Sequence, residues 1–208
     1  ILFFSVLVAQ ILFSKREENS GVILKFATVF SNCGYMSLPL QQAVLGDDGV
    51  FYGATFVAMF NLFVWTYGFI IMRGKSEKKE KGAALKILLN PGIIGTIIGV
   101  VLFVCSIKLP SIVAQPVTYL AALNSPVPML IIGFYLANAN LKKAFTNGWA
   151  YLAMALRLII IPLVVLGVLW VCNIRGSLLV SLIIATASPV AAITTMMSAK
   201  FDRDTELS

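Results

Sequence analysis

Long apolar runs separated by short polar connectors organise this chain. Seven can be delimited, at residues 1–13, 22–45, 50–72, 87–107, 109–138, 149–172 and 178–198. Residues 87–107 and 149–172 reach the roughly 20 residues a helix needs to cross a hydrocarbon core about 30 Å thick, and the others come close. The runs therefore predict membrane-spanning helices rather than barrel strands. The first reads as the end of a truncated helix, because the chain opens on Ile1 inside apolar sequence.

Two of the runs are interrupted. Ser31-Asn32-Cys33-Gly34-Tyr35-Met36-Ser37-Leu38-Pro39 and Ala185-Thr186-Ala187-Ser188-Pro189-Val190-Ala191-Ala192 each place a proline beside small polar residues. Proline has no backbone donor and obstructs the preceding turn, so peptide groups come free at a depth where lipid cannot hydrogen-bond them. Paired interruptions in separate halves of a membrane chain point to a transporter binding site. The run 109–138 exceeds one straight crossing and carries Pro110, Pro116, Pro126 and Pro128, so a break or strong kink is predicted there, weakest at Asn124-Ser125-Pro126.

Composition agrees with the pattern. At 59% hydrophobic and 12% charged residues, with a mean hydropathy of +0.93, the chain has too little polar surface to cover a soluble domain. Its net charge of +7 serves topology rather than nucleic-acid binding. Alternate connectors carry Lys15, Arg16 and Lys25, then six basic residues between Arg73 and Lys86, then Lys142 and Lys143, then Lys200 and Arg203; the opposite set holds Lys108 and Arg175 with Asp47 and Asp48. The positive-inside rule puts the linker 73–86 in the cytoplasm. It divides the chain into 1–72, the linker 73–86, and 87–208.

The chemistry available is narrow. The chain has no histidine, and its three cysteines lie in apolar runs at unrelated spacings, so no metal site, disulfide framework or cofactor is expected. No nucleophile–base pair or phosphate-binding loop is visible, which argues against an enzyme and against an ATP-driven pump. The carboxylates lie in connectors or near the ends, giving no proton relay or sodium cage, although carbonyls could hold a cation; proton or sodium coupling stays open.

The candidate site residues cluster at the breaks. Asn32 can donate into a gap that Gly34 lets backbone approach, seven residues before Pro39, and amides at half-helix ends can hold a carboxylate. Each residue alone also fits an ordinary kink with an interhelical hydrogen bond. Ser188 and Pro189, flanked by Thr186, Thr194 and Thr195, form the second break. Asn90-Pro91-Gly92 reads as a helix start. Gly95-Thr96-Ile97-Ile98-Gly99 predicts close helix packing and specifies no oligomer, leaving a homodimer open. Arg157 lies alone in apolar sequence and must snorkel, pair with freed carbonyls or meet an anionic substrate. Asn61 is a pore-facing polar group, while Trp65 and Tyr67 read as packing or interface residues.

Taken in order, Asn32-Cys33-Gly34-Tyr35-Met36-Ser37-Leu38-Pro39-Leu40, Gly46, Trp65-Thr66-Tyr67, the charged linker, Asn90-Pro91, the Pro126 segment, Arg157 with Pro162, and Ala187-Ser188-Pro189 resemble the auxin efflux carrier family, over essentially the whole chain. That family includes plant PIN-type auxin carriers and bacterial malate permeases. The resemblance implies an all-α polytopic membrane protein, a fragment of a ten-helix inverted-repeat transporter whose fourth and ninth helices break and cross at prolines. It places Pro39 and Pro189 at that crossing, Asn32 and Asn61 beside a substrate cavity, and Asn90 at the entry of the sixth helix. The chain would then begin within the third helix and lack the tenth. A linker far shorter than that of plant canal-type carriers favours the bacterial branch, the cytoplasmic membrane and a small organic anion such as malate. A membrane sensor using the same pocket without transport is the rival reading.

Overall fold

The computed structural model describes residues 1–15, 18–74, 91–123, 126–139 and 146–208, and these are helical apart from short turns and one isolated backbone bridge. Each apolar run becomes helix. Asp47–Arg73 (27 residues) and Gly148–Val171 (24 residues) are continuous and long enough to cross a membrane. Ser111–Ala122 and Pro126–Asn138 occupy the proline-rich run; of its expected weak point, Asn124-Ser125-Pro126, residues 124 and 125 fall outside the described residues and Pro126 opens the second helix. Leu2–Phe13 and Pro91–Val104 are shorter apolar helices.

The two interrupted runs are broken as the prolines suggested, but not both at the proline. In the first, Glu18–Val29 ends and a wide turn, Cys33–Ser37, leads into Leu38–Leu45; the chain is unwound at 30–32. Pro39 lies beyond this break, in the first turn of Leu38–Leu45. Its ring would collide with the carbonyl four residues earlier, that of Tyr35, and the wide turn falls there. Pro162 stands in the same relation to Leu158, inside the wide turn Leu156–Ile160. In the second interrupted run Gly176–Ala187 ends at an extended Ser188, and Ile193–Lys200 resumes after Pro189.

The halves assemble around these breaks. Glu18–Val29 packs on Leu2–Phe13 and Gly148–Ala155, Leu38–Leu45 on Asp47–Phe63, and Gly176–Ala187 on both Asp47–Phe63 and Ile161–Val171. Buried Phe26, Phe30, Cys33, Phe56, Phe60, Val64, Ala185 and Ala191 form the core beside the crossing. Phe30 meets Phe60 edge-on at 5.6 Å between ring centres. Gly68 admits this cluster, since a Cβ there would lie 2.8 Å from Phe26.

Outside the core the surface is apolar: Ile112 is 83% and Val171 84% exposed. Faces of this kind are stable against lipid, which makes this an integral membrane protein. Arg203 donates to the carbonyl of Met72 at 3.0 Å and to the side chain of Asn19, joining the start of Glu18–Val29 to the end of Phe69–Arg73. The opposite end brings Phe51, near Asp47 and Asp48, against Phe103.

Candidate functional site

The crossing is made by main chain. Asn32 N donates to the Pro189 carbonyl at 2.8 Å and Ala191 N to the Phe30 carbonyl at 3.0 Å, an antiparallel bridge centred on Ser31 and Val190. Each break frees donors and acceptors, and the two breaks satisfy each other across the crossing.

Side chains reinforce it on one flank. Ser37 and Ser188 hydroxyls lie 2.5 Å apart, and Ser188 also donates to the Ile184 carbonyl at 3.0 Å. Four residues further along the same helix face, fully buried Gln41 donates to the Ser181 carbonyl at 2.8 Å. Gly53 makes room for that amide, because a Cβ there would fall 1.7 Å from Gln41 Oε1.

Arg157 resolves the alternatives left open by the sequence. It is 2% exposed and makes four hydrogen bonds, all to carbonyls: Thr186 at 2.9 Å, Thr28 and Val29 at 3.3 Å each, and Ser188 at 3.4 Å. These oxygens belong to the last turns of Glu18–Val29 and Gly176–Ala187 and to the residue that caps the second helix. The last four carbonyls of a helix have no intrahelical donor and carry its negative pole, so a guanidinium between two such ends is favourably placed.

A cavity of about 440 Å³ opens beside the bridge, lined at its inner end by Ser31, Asn32, Gly34 and Tyr35 and further out by Asn61, Trp65, Pro91, Gly95 and Thr96. Three of the predicted site residues, Asn32, Gly34 and Asn61, thus converge on one space from two separate helical runs. Gly34 faces it with nothing within 4 Å of the place a Cβ would occupy. Asn90 lies outside the described residues, though its neighbour Pro91 lines the cavity. Pro39, Ser188 and Pro189 are elsewhere: Pro39 is exposed past the break, while Ser188 and the Pro189 carbonyl build the crossing itself.

One reading of packing is extended and one is corrected. Trp65 packs against the core as read and in addition walls the cavity, so close to Gly92 that a Cβ there would be 2.2 Å from the ring. Gly92, and not the Gly95/Gly99 pair, is therefore the close-approach glycine of Pro91–Val104; added Cβ atoms at Gly95 and Gly99 would meet nothing within 4 Å. The signal for Gly92 was present only as the tripeptide Asn90-Pro91-Gly92, which a helix start explains without Trp65. Tyr67 does serve packing, accepting a hydrogen bond from Gln10 at 3.0 Å.

Among described residues no three His, Cys, Asp or Glu side chains gather as metal ligands. The polar equipment of the cavity is amide, hydroxyl and main chain, suited to reversible binding of a polar solute.

Known proteins bear on this arrangement. An uncharacterized transporter of Methanocaldococcus jannaschii is 25% identical over 203 residues, covering 93% of this chain and 62% of that protein. The chain accordingly spans less than two thirds of the length of this curated relative. No solved structure matches it. The family model described as membrane transport protein matches residues 1–208, from one end of this bridged bundle to the other, and the chain belongs to that auxin efflux carrier-like family.

Proposed function

We propose that this chain is the greater part of a secondary carrier for small organic anions, malate-like dicarboxylates or related carboxylates, working by alternating access and carrying out no catalysis. The observation that supports this most is the cavity at the crossing, where Asn32, Gly34 and Asn61 meet. A substrate carboxylate is held by the Asn32 and Asn61 amides, at the positive pole of the half-helix that Cys33–Ser37 opens. Trp65 and Phe60 cover the rest of the solute.

The cavity runs from the crossing toward Pro91, the end of the bundle at which Arg73 also lies. With the linker 73–86 in the cytoplasm, as the charge distribution favours, this is a cytoplasm-facing state in a bacterial cytoplasmic membrane. The two broken helices belong to two inverted repeats, 1–72 and 87–208, and access alternates as one group of helices rocks about the bridge.

The test is uptake of labelled malate, succinate, lactate and indole acetate into proteoliposomes holding the full-length protein, with and without proton or sodium gradients. Saturable uptake of one acid class is expected. Saturable binding with no flux of any of the four would move the assignment to a membrane sensor, and neither binding nor flux would overturn it.

A further inference from the structure

We infer that the carbonyls of Thr28, Val29, Thr186 and Ser188 constitute a cation site that the protein fills from within, the Arg157 guanidinium acting as a tethered cation that holds the two broken helices together. This inference is independent of what the cavity binds. Four carbonyl oxygens converge from two helices that are remote in sequence, at 2.9 to 3.4 Å from the guanidinium nitrogens. Convergent carbonyls of unwound helices are the ordinary way a membrane protein holds a monovalent cation.

Here the charge arrives on a third element. Arg157 projects from the wide turn Leu156–Ile160 of the helical run Gly148–Val171, which contributes none of the four oxygens. Among described residues it meets carbonyls and no carboxylate, so its charge is balanced by helix ends alone. Remove it, and two negative helix poles face each other in a site too deep for water to reach freely.

The threonines show how closely the ends are matched. Thr28 Oγ1 turns back to the Leu24 carbonyl and Thr186 Oγ1 to the Leu182 carbonyl, each at 2.8 Å, so neither hydroxyl competes for the guanidinium and both main-chain oxygens stay free to accept from it. A site of this kind takes planar cations with several donors best, and a bare guanidinium ion above all. It also removes the need for a solution cation at the crossing.

Cys33 provides the readout. It is 1% exposed and directly follows the bridge residue Asn32. In full-length protein carrying Cys33 as the single cysteine, reaction with a thiol-specific fluorophore should be slow. Arg157→Ala, which removes all four bonds, should accelerate it by at least roughly tenfold, the factor that the loss of a single charge-assisted hydrogen bond would already give. Millimolar guanidinium chloride should return the rate toward that of the parent, and urea at the same concentration should not. Arg157→Lys, which keeps the charge, should label more slowly than the neutral Arg157→Gln; this comparison carries the test if Arg157→Ala cannot be purified. Equal labelling of the Lys and Gln variants, or an Ala variant indifferent to guanidinium, would overturn the proposal.

Discussion

Gly34 offers the cleanest separation of binding from folding. Its Cβ position is empty space facing the cavity. Gly34→Leu adds four carbons, each near the ~30 Å³ share of a water molecule, and so fills on the order of 120 Å³ of a cavity of about 440 Å³. Since φ at this position is negative, the substitution meets no backbone penalty and removes a helix-disfavouring glycine, worth up to about 1 kcal/mol in favour of the fold. The displaced volume is next to Asn32, where the carboxylate is proposed to be held, and should weaken binding by at least about tenfold, or ~1.4 kcal/mol. The assay pairs a binding isotherm for whichever acid is taken up with thermal unfolding of the same detergent-solubilised protein. Gly92→Ala is the matched control: its Cβ would be 2.2 Å from Trp65, so it should lower stability, by about 1 to 3 kcal/mol. Unchanged affinity in a folded Gly34→Leu protein would show that the ligand does not use this cavity. A large fall in its unfolding temperature would show that the space is structural.

Other substitutions probe neighbouring parts. Asn32→Ala removes the side chain while keeping the N–H that bonds Pro189, so substrate binding should weaken by roughly 1 to 3 kcal/mol with membrane insertion and unfolding temperature preserved; unaltered binding and transport would count against Asn32 as a ligand group. Gly53→Ala should destabilise by about 1 to 3 kcal/mol through its collision with Gln41, and adding Gln41→Ala should restore part of that loss. Strict additivity in that double-mutant cycle would mean that the two side chains do not meet.

Much of this architecture could be read from the chain. The apolar runs and both interruptions follow from local sequence, because helix formation and proline's effects act within a few residues. Asn32 and Asn61 were likewise recognisable, as polar groups too costly to leave facing lipid. What local sequence could not supply was partnership. Pro39 marked its helix as interrupted, yet the unwinding occurs at 30–32, where main-chain groups from the second break are available to pair. Arg157 admitted three fates, and only the positions of Thr28 and Thr186, more than a hundred residues apart, decide among them. Trp65 read as a packing residue and does pack on the core; that it also walls a cavity against Gly92 could not be read, because Gly92 lies in a different run.

The bridge between Ser31 and Val190 has a consequence for how such a protein can change over generations. Its two bonds are drawn in peptide groups, so they ask only that Asn32 and Ala191 keep an N–H; a proline at either place is barred, and other side chains of suitable size leave the bonds in place. Asn32 shows the division within one residue, since its main chain is joined to Pro189 and the residue also lines the cavity. Selection can therefore rewrite what this site prefers while the pivot on which it is mounted stays the same.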